Sequence, residues 1–83
     1  VLRIISNSSF LKGIMMKLSN RELEILELLS FGYSDKEIAY ILNISARTVQ
    51  THVMRSVIKL NARNRTNAVA NYIRHYSLNF STV

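Results

Sequence analysis

The sequence predicts an all-α fold: a compact four-helix domain whose second and third helices form a helix-turn-helix. Three observations carry that reading. The 83 residues include no proline and only two glycines, Gly13 and Gly32, so little in the chain breaks a helix. Apolar residues recur at helical spacing through most of the sequence after residue 18. Two Ser-x-x-Glu capping boxes, "SNRE" at 19–22 and "SDKE" at 34–37, each stand directly before such a run. A chain of this length supports one small domain with a single core.

The first helix starts at Ser19, whose hydroxyl can take an amide of the first turn while Glu22 reaches back. Ile25, Leu26, Leu28 and Leu29 then share one side, with Glu24 and Glu27 opposite. Gly32, after Phe31, suits a left-handed cap and should end the helix. Ser34 opens the second helix, with Ile38, Ala39 and Leu42 inward; the small Ala39 lets a neighbouring helix approach closely. Asn43 and Ile44 break the pattern. Ser45 caps the third helix, expected over 46–60. Val49, Val53, Ser56 and Leu60 form its inward stripe, with His52 and Val57 on the borders. Arg47, Thr51, Met54, Arg55 and Ile58 point away, with Gln50 and Lys59 on the flanks. Asn61 to Asn64 form a polar connection, and Asn64 is a good cap for the fourth helix. That helix shows Ala68, Val69, Tyr72, Ile73 and Tyr76 at core spacing. The expected organisation is a linker or extra N-terminal segment at 1–17, the domain at 18–77, and a frayed tail at 78–83 from which Leu78 or Phe80 can fold back.

Charge placement says more than the net charge of +6. All five acids, Glu22, Glu24, Glu27, Asp35 and Glu37, precede residue 38, whereas Arg47, Arg55, Lys59, Arg63, Arg65 and Arg74 follow it with no acid among them. A one-signed half favours a polyanionic partner, nucleic acid first and an anionic membrane surface second. The absence of cysteine excludes disulfides, thiolate metal ligands and a cysteine nucleophile. No apolar run approaches the roughly 18 residues of a membrane span, and "SNSS" interrupts any signal-peptide core near the N-terminus. The expectation is a soluble, cytoplasmic protein that makes no membrane contact.

Chemistry-bearing residues are few. His52 borders the core stripe with no second ligand at metal spacing, and His75 reads as a surface residue. Glu22 and Glu37 are better explained as capping residues than as an acid–base pair. Tyr72 and Tyr76 read as core before they read as a stacking platform. No nucleophile constellation or glycine-rich phosphate loop stands out, so the expectation is a protein that is not an enzyme and takes no cofactor or metal.

A short capped helix, a turn of three or four residues and a longer capped helix let the third helix project and lie in a major groove. Amides opening the second and third helices can meet phosphates. At this point the residues resemble a known family. "LSNRELEILELLSFGYSDKEIAYILNISARTVQTHVMRSVIKLNARNRTNAV", Leu18 to Val69, is similar to the LuxR/FixJ/GerE DNA-binding domains. The marks are Leu18–Ser19 with Arg21–Glu22, Gly32, Ser34, Lys36–Glu37–Ile38–Ala39, Leu42, Ile44–Ser45, Thr48–Val49, His52, Lys59–Leu60, Arg65 and Ala68–Val69.

The resemblance implies a four-helix transcription regulator that binds double-stranded DNA with its third helix and dimerises through its fourth. Gln50, Thr51 and Met54 correspond to the base-reading part, and outward-facing Arg47 joins them as a candidate base contact. Lys36, Thr48 and Lys59 correspond to positions near the phosphate backbone, as Arg47 also does; Ser45, Arg55 and Arg63 complete the backbone candidates. Asn67, Ala70, Asn71 and Arg74 mark a polar face for a weak homodimer that forms mainly on DNA. RNA polymerase or an upstream regulatory domain are further partners implied.

Three departures stand out. Gln50 replaces the family's usual Lys, and its amide can bond bidentately to adenine. Ser56 replaces an aliphatic core residue and should loosen the contact between helices three and four. Asn61–Ala62 replace Gly–Val, although Asn can still adopt the left-handed cap. Two other functions stay open: a promoter reader like sigma-factor region four, and a helical protein-interaction module docking through Met54 and Ile58. On the DNA reading, Lys59→Ala should weaken binding to all sequences and lower the salt slope by about one unit, while Gln50→Ala relaxes one base position.

Overall fold

The computed structural model describes residues 17–81, with side chains as far as His75. The segment expected as a linker lies, apart from Lys17, outside the described residues, as do the side chains of Tyr76, Leu78 and Phe80. Four helices occupy the described chain: α1 (Asn20–Ser30), α2 (Asp35–Leu42), α3 (Ala46–Lys59) and α4 (Arg65–Ser81). None of them is long and apolar enough to cross a membrane.

Each start is capped as its sequence dictates. At α1 the Glu22 amide donates to Ser19 Oγ at 3.1 Å, and Glu22 Oε1 accepts from the Ser19 amide at 2.9 Å. The same reciprocal pair joins Ser34 and Glu37 at 3.2 and 2.8 Å. Ser45 Oγ caps α3 by accepting from the Thr48 amide at 3.0 Å. At α4, Asn64 Oδ1 accepts from the Asn67 amide at 2.8 Å, while Asn67 Oδ1 accepts from the Arg63 amide at 3.0 Å. Asn64 thus caps the helix, while Asn67 takes the amide of Arg63, the residue before the cap. The pair is therefore not the reciprocal box seen at Ser19 and Ser34. This engages Asn67, a candidate dimer contact, in holding its own helix.

Each of the three connections contains one left-handed residue: Gly32 with φ +94°, Asn43 with +57° and Asn61 with +52°. Glycine tolerates that conformation because it has no Cβ, and asparagine because its short polar side chain bonds locally. Asn43 is the cap of α2, and with Ile44 and Ser45 it turns the chain sharply into α3. Asn61 takes the left-handed conformation expected of it.

The core has two clusters. Ile25, Ile38, Ala39, Val49 and Val53 join α1, α2 and α3, while Leu18, Leu26, Leu60, Ala68 and Tyr72 join α1, the end of α3 and α4. Leu29 and Val57 pack against both. Burying each aliphatic side chain contributes roughly 1.5–3 kcal/mol, so this paired core is what orients α3. The inward stripe of α3 is as expected: Val49, Val53, Ser56 and Leu60 are buried. Ser56 creates no unmet polar group, because its hydroxyl donates to the His52 carbonyl at 2.9 Å.

The fourth helix differs from expectation in two ways. It runs on to Ser81, past residue 77 and through most of the segment expected to fray. Its buried face is Ala68, Tyr72 and His75, whereas Ile73 is 43% exposed. His75, expected at the surface, is buried. The 3.6-residue period allows two overlapping stripes here, and the docking of α4 on α1 selects the one that buries His75.

Candidate nucleic-acid interface

The polar turn at Asn43–Ser45 sets α3 apart from α2, and the core stripe turns the opposite face of α3 outward. Arg47, Gln50, Met54, Arg55 and Ile58 are exposed on that side, Met54 by 59% and Ile58 by 70%. Thr51 is half-buried, and its hydroxyl donates to the Arg47 carbonyl at 3.0 Å, so it is satisfied within its own helix. The four candidate base contacts therefore share one face, with Thr51 set lower than the others.

The candidate phosphate contacts divide. Lys36 is exposed in the first turn of α2, and Ser45 and Thr48 form the cap of α3, their hydroxyls 2.8 Å apart. Arg55 is exposed on α3, and Arg63 is exposed in the connection before α4. Lys59 makes a contact within the domain. Its ammonium lies 2.8 and 3.2 Å from the two carboxylate oxygens of Glu22, so it faces α1 rather than standing free for a phosphate. Helical spacing placed Lys59 on a flank of α3, and a flank can serve either neighbour. The buried carboxylate of Glu22 decides which.

Glu22 thus does more than cap α1. Burial pushes its pKa up, but hydrogen bonds from Lys59 and the Ser19 amide, with the Lys59 charge, outweigh burial and leave it below the ordinary value. A second ion pair was equally hidden in the sequence. Arg65, the first residue of α4, donates to Asp35, the first residue of α2, through two nitrogens at 3.0 and 2.5 Å. The Arg65 hydrogen bond is the largest cause of a lowered Asp35 pKa; burial opposes it, and the Arg65 charge and a hydrogen bond from Gln50 add to it. The same pairing raises the pKa of Arg65. Partners 30 and 37 residues apart leave no local period to read; the only signal was that Arg65 and Lys59 lie in a basic half while every acid lies in the other.

Chemically, this surface can donate to phosphates and base edges and offers apolar contact through Met54 and Ile58. Among the described residues, no group of three or more His, Asp or Glu side chains is arranged to hold a metal ion. The Nδ1 atom of His52 is buried without a hydrogen-bond partner.

The candidate dimer residues lie on α4: Ala70 and Asn71 are half-buried and Arg74 is exposed, with Arg74 Nη2 donating to Asn71 Oδ1 at 2.7 Å. Exposed Ile73 lies beside them. Leu29, Arg65, Thr66, Val69, Ala70 and Ile73 line a shallow groove between α1 and α4.

Comparison with known proteins identifies the family. The family described as "Bacterial regulatory proteins, luxR family" matches residues 16–71. The chain is 45% identical over 58 residues to the response regulator protein VraR of Staphylococcus aureus, and equally to the proteins of that name from Staphylococcus saprophyticus and Staphylococcus epidermidis. The match covers 70% of this chain and 28% of each relative, so the chain spans little more than a quarter of their length. With the family's residues matched over most of the described helices, the chain belongs to the luxR family of bacterial regulatory proteins.

Proposed function

We propose that this domain binds double-stranded DNA sequence-specifically as a bacterial transcription regulator, with α3 in the major groove. DNA-binding transcription regulation is the activity of the family to which the chain belongs. The observation that carries the placement is the outward face of α3. Arg47, Gln50, Met54 and Arg55 stand exposed on it with no acid on that helix, and the core holds the helix from behind. Gln50 and Arg47 supply hydrogen bonds to base edges, and Met54 supplies apolar contact to thymine methyls. Lys36, Ser45, Thr48, Arg55 and Arg63 supply the phosphate contacts, aided by the amides that open α2 and α3. Lys59 leaves that set because Glu22 holds it.

The face of α4 carrying Ala70, Asn71 and Arg74, with Ile73 beside it, forms a weak dimer that assembles on DNA. Its polarity argues against an obligate pair. In a longer protein of the kind its relatives are named for, the domain is the output part of a response regulator acting in the cytoplasm, directed by an upstream regulatory domain and reaching RNA polymerase at the promoter. The fourth helix and the family match disfavour the sigma-factor reading.

Selection of bound duplexes from a randomised DNA library near physiological salt tests the assignment. Enrichment of an inverted or direct repeat is expected, with affinity falling steeply as salt rises and counterions are released. Binding without enrichment would make the domain a non-specific binder. No binding even at low salt would overturn the DNA reading and leave a protein-docking face on Met54 and Ile58.

A further inference from the structure

The core holds α2 and α4 by different residues. Ile38 and Ala39 of α2 pack with Ile25, Val49 and Val53, whereas Ala68 and Tyr72 of α4 pack with Leu18, Leu26 and Leu60. Among the described residues neither helix lends a side chain to the other's cluster, so apolar packing relates them through α1 and α3. Their first residues nevertheless meet. Arg65 donates through two nitrogens to both carboxylate oxygens of Asp35, at 3.0 and 2.5 Å. A planar fork on a planar carboxylate fixes direction as well as distance. The Asp35 side chain is 19% exposed and that of Arg65 43%, so this clamp lies at the rim of the surface. An exposed cation stands on each side of it. Lys36 follows Asp35 directly, and Arg63 precedes Arg65 by two residues. The Arg63 amide donates to Asn67 Oδ1 at 3.0 Å, which ties that connection to α4. Fixing the start of α2 against the start of α4 therefore fixes the roots of both cations.

We propose that Asp35 and Arg65 are positioning residues for the phosphate contacts, holding Lys36 and Arg63 at one fixed spacing against the DNA backbone. This rests on the DNA reading above. Two cations on a rigid frame engage two phosphates without first being ordered, so less of the contact energy is lost on binding. Without the clamp, the start of α2 and the connection before α4 can shift relative to each other, and one contact lapses. Electrostatics gives the role a distinctive sign. Asp35→Ala removes a negative charge and releases the Arg65 guanidinium, so charge alone predicts tighter binding to DNA. Loss of positioning predicts the opposite.

The test is binding of a random-sequence duplex as a function of salt, for the wild-type chain and Asp35→Ala, each checked for folding by circular dichroism. Asp35→Ala is expected to weaken binding roughly tenfold, the loss of one charge-assisted contact, and to lower the salt slope by about one unit. Arg65→Lys keeps every charge but loses the fork, and should change both quantities in the same direction. Removing Lys36 and Arg63 together should cost less affinity in the Asp35→Ala background than in the wild type; an equal cost in both overturns the link. A merely structural clamp would lower the melting temperature and leave the slope of the folded protein unchanged. Asp35→Ala binding as tightly as wild type or tighter, with an undiminished slope, overturns the positioning role while the DNA reading stands. If the wild type binds no duplex even at low salt, the DNA reading fails, and this inference fails with it. Should Asp35→Ala not fold, the near-isosteric Asp35→Asn makes the same change of charge. Weaker binding with a lower slope then supports the role, and undiminished binding overturns it.

Discussion

Lys59 stands at the end of α3 in the half of the chain that holds no acid, yet its ammonium is spent on Glu22, whose side chain is only 3% exposed. The lysine itself is 37% exposed, so water screens part of the pair from one side. The two partners are therefore unequal. Removing the lysine leaves a buried carboxylate with only the Ser19 hydrogen bonds, whereas a neutral amide at 22 leaves a lysine that can reach solvent. Lys59→Ala is expected to lower unfolding free energy by about 2–4 kcal/mol in urea titrations while leaving the salt slope of DNA binding unchanged. This reverses the sequence-based expectation for the residue. Arg55→Ala provides the contrast: stability within about 0.5 kcal/mol of wild type and a salt slope lower by about one unit. If Lys59→Ala instead lowers the slope and spares stability, the phosphate role returns. Ser56 carries a similar lesson. Its hydroxyl looked like a defect in an apolar stripe, but the His52 carbonyl satisfies it within the helix.

The helices were legible where their signals are local. Capping boxes at Ser19 and Ser34 and the serine cap at Ser45 act over three residues, and the structure repeats them bond for bond. The turn into α3 depends on Asn43 in the left-handed region at φ +57°. A β-branched residue there meets its own backbone, so Asn43→Val is expected to cost about 1–2 kcal/mol, and Asn43→Gly much less. Thermal melts of the two variants measure the difference; equal melting temperatures would mean the turn relaxes without the left-handed residue. The face of α4 was not legible. Val69 and Ile73 offered as good a stripe as Tyr72 and His75, and apolar spacing has no means of ranking two faces separated by less than half a turn.

Two long-range ion pairs tie the whole domain together, Glu22–Lys59 between α1 and α3 and Asp35–Arg65 between α2 and α4. Both carboxylates have folded pKa values below their ordinary ones, 4.5 for Glu22 and 3.8 for Asp35. As pH falls, the unfolded chain therefore takes up protons before the folded one does. The stabilisation is complete above those ordinary values and is lost as pH falls through the lower folded ones. The melting temperature should thus decline below about pH 4.5 from this source, and Glu22→Gln should flatten part of the decline. Melts of both proteins from about pH 6 to about pH 3 check this, and parallel curves would remove Glu22 from the linkage.

Local chemistry and periodicity were enough to establish an all-α chain, the caps of its helices, the inward stripe of α3 and the basic character of its outer face. These depend on contacts within one or two helical turns, and the sequence lists such neighbours in order. The partners of Lys59 and Arg65, and the burial of His75, were decided only when α1, α2 and α4 docked around α3. Charge acts through space, and a basic residue on a helix flank takes whichever carboxylate the packing brings within reach.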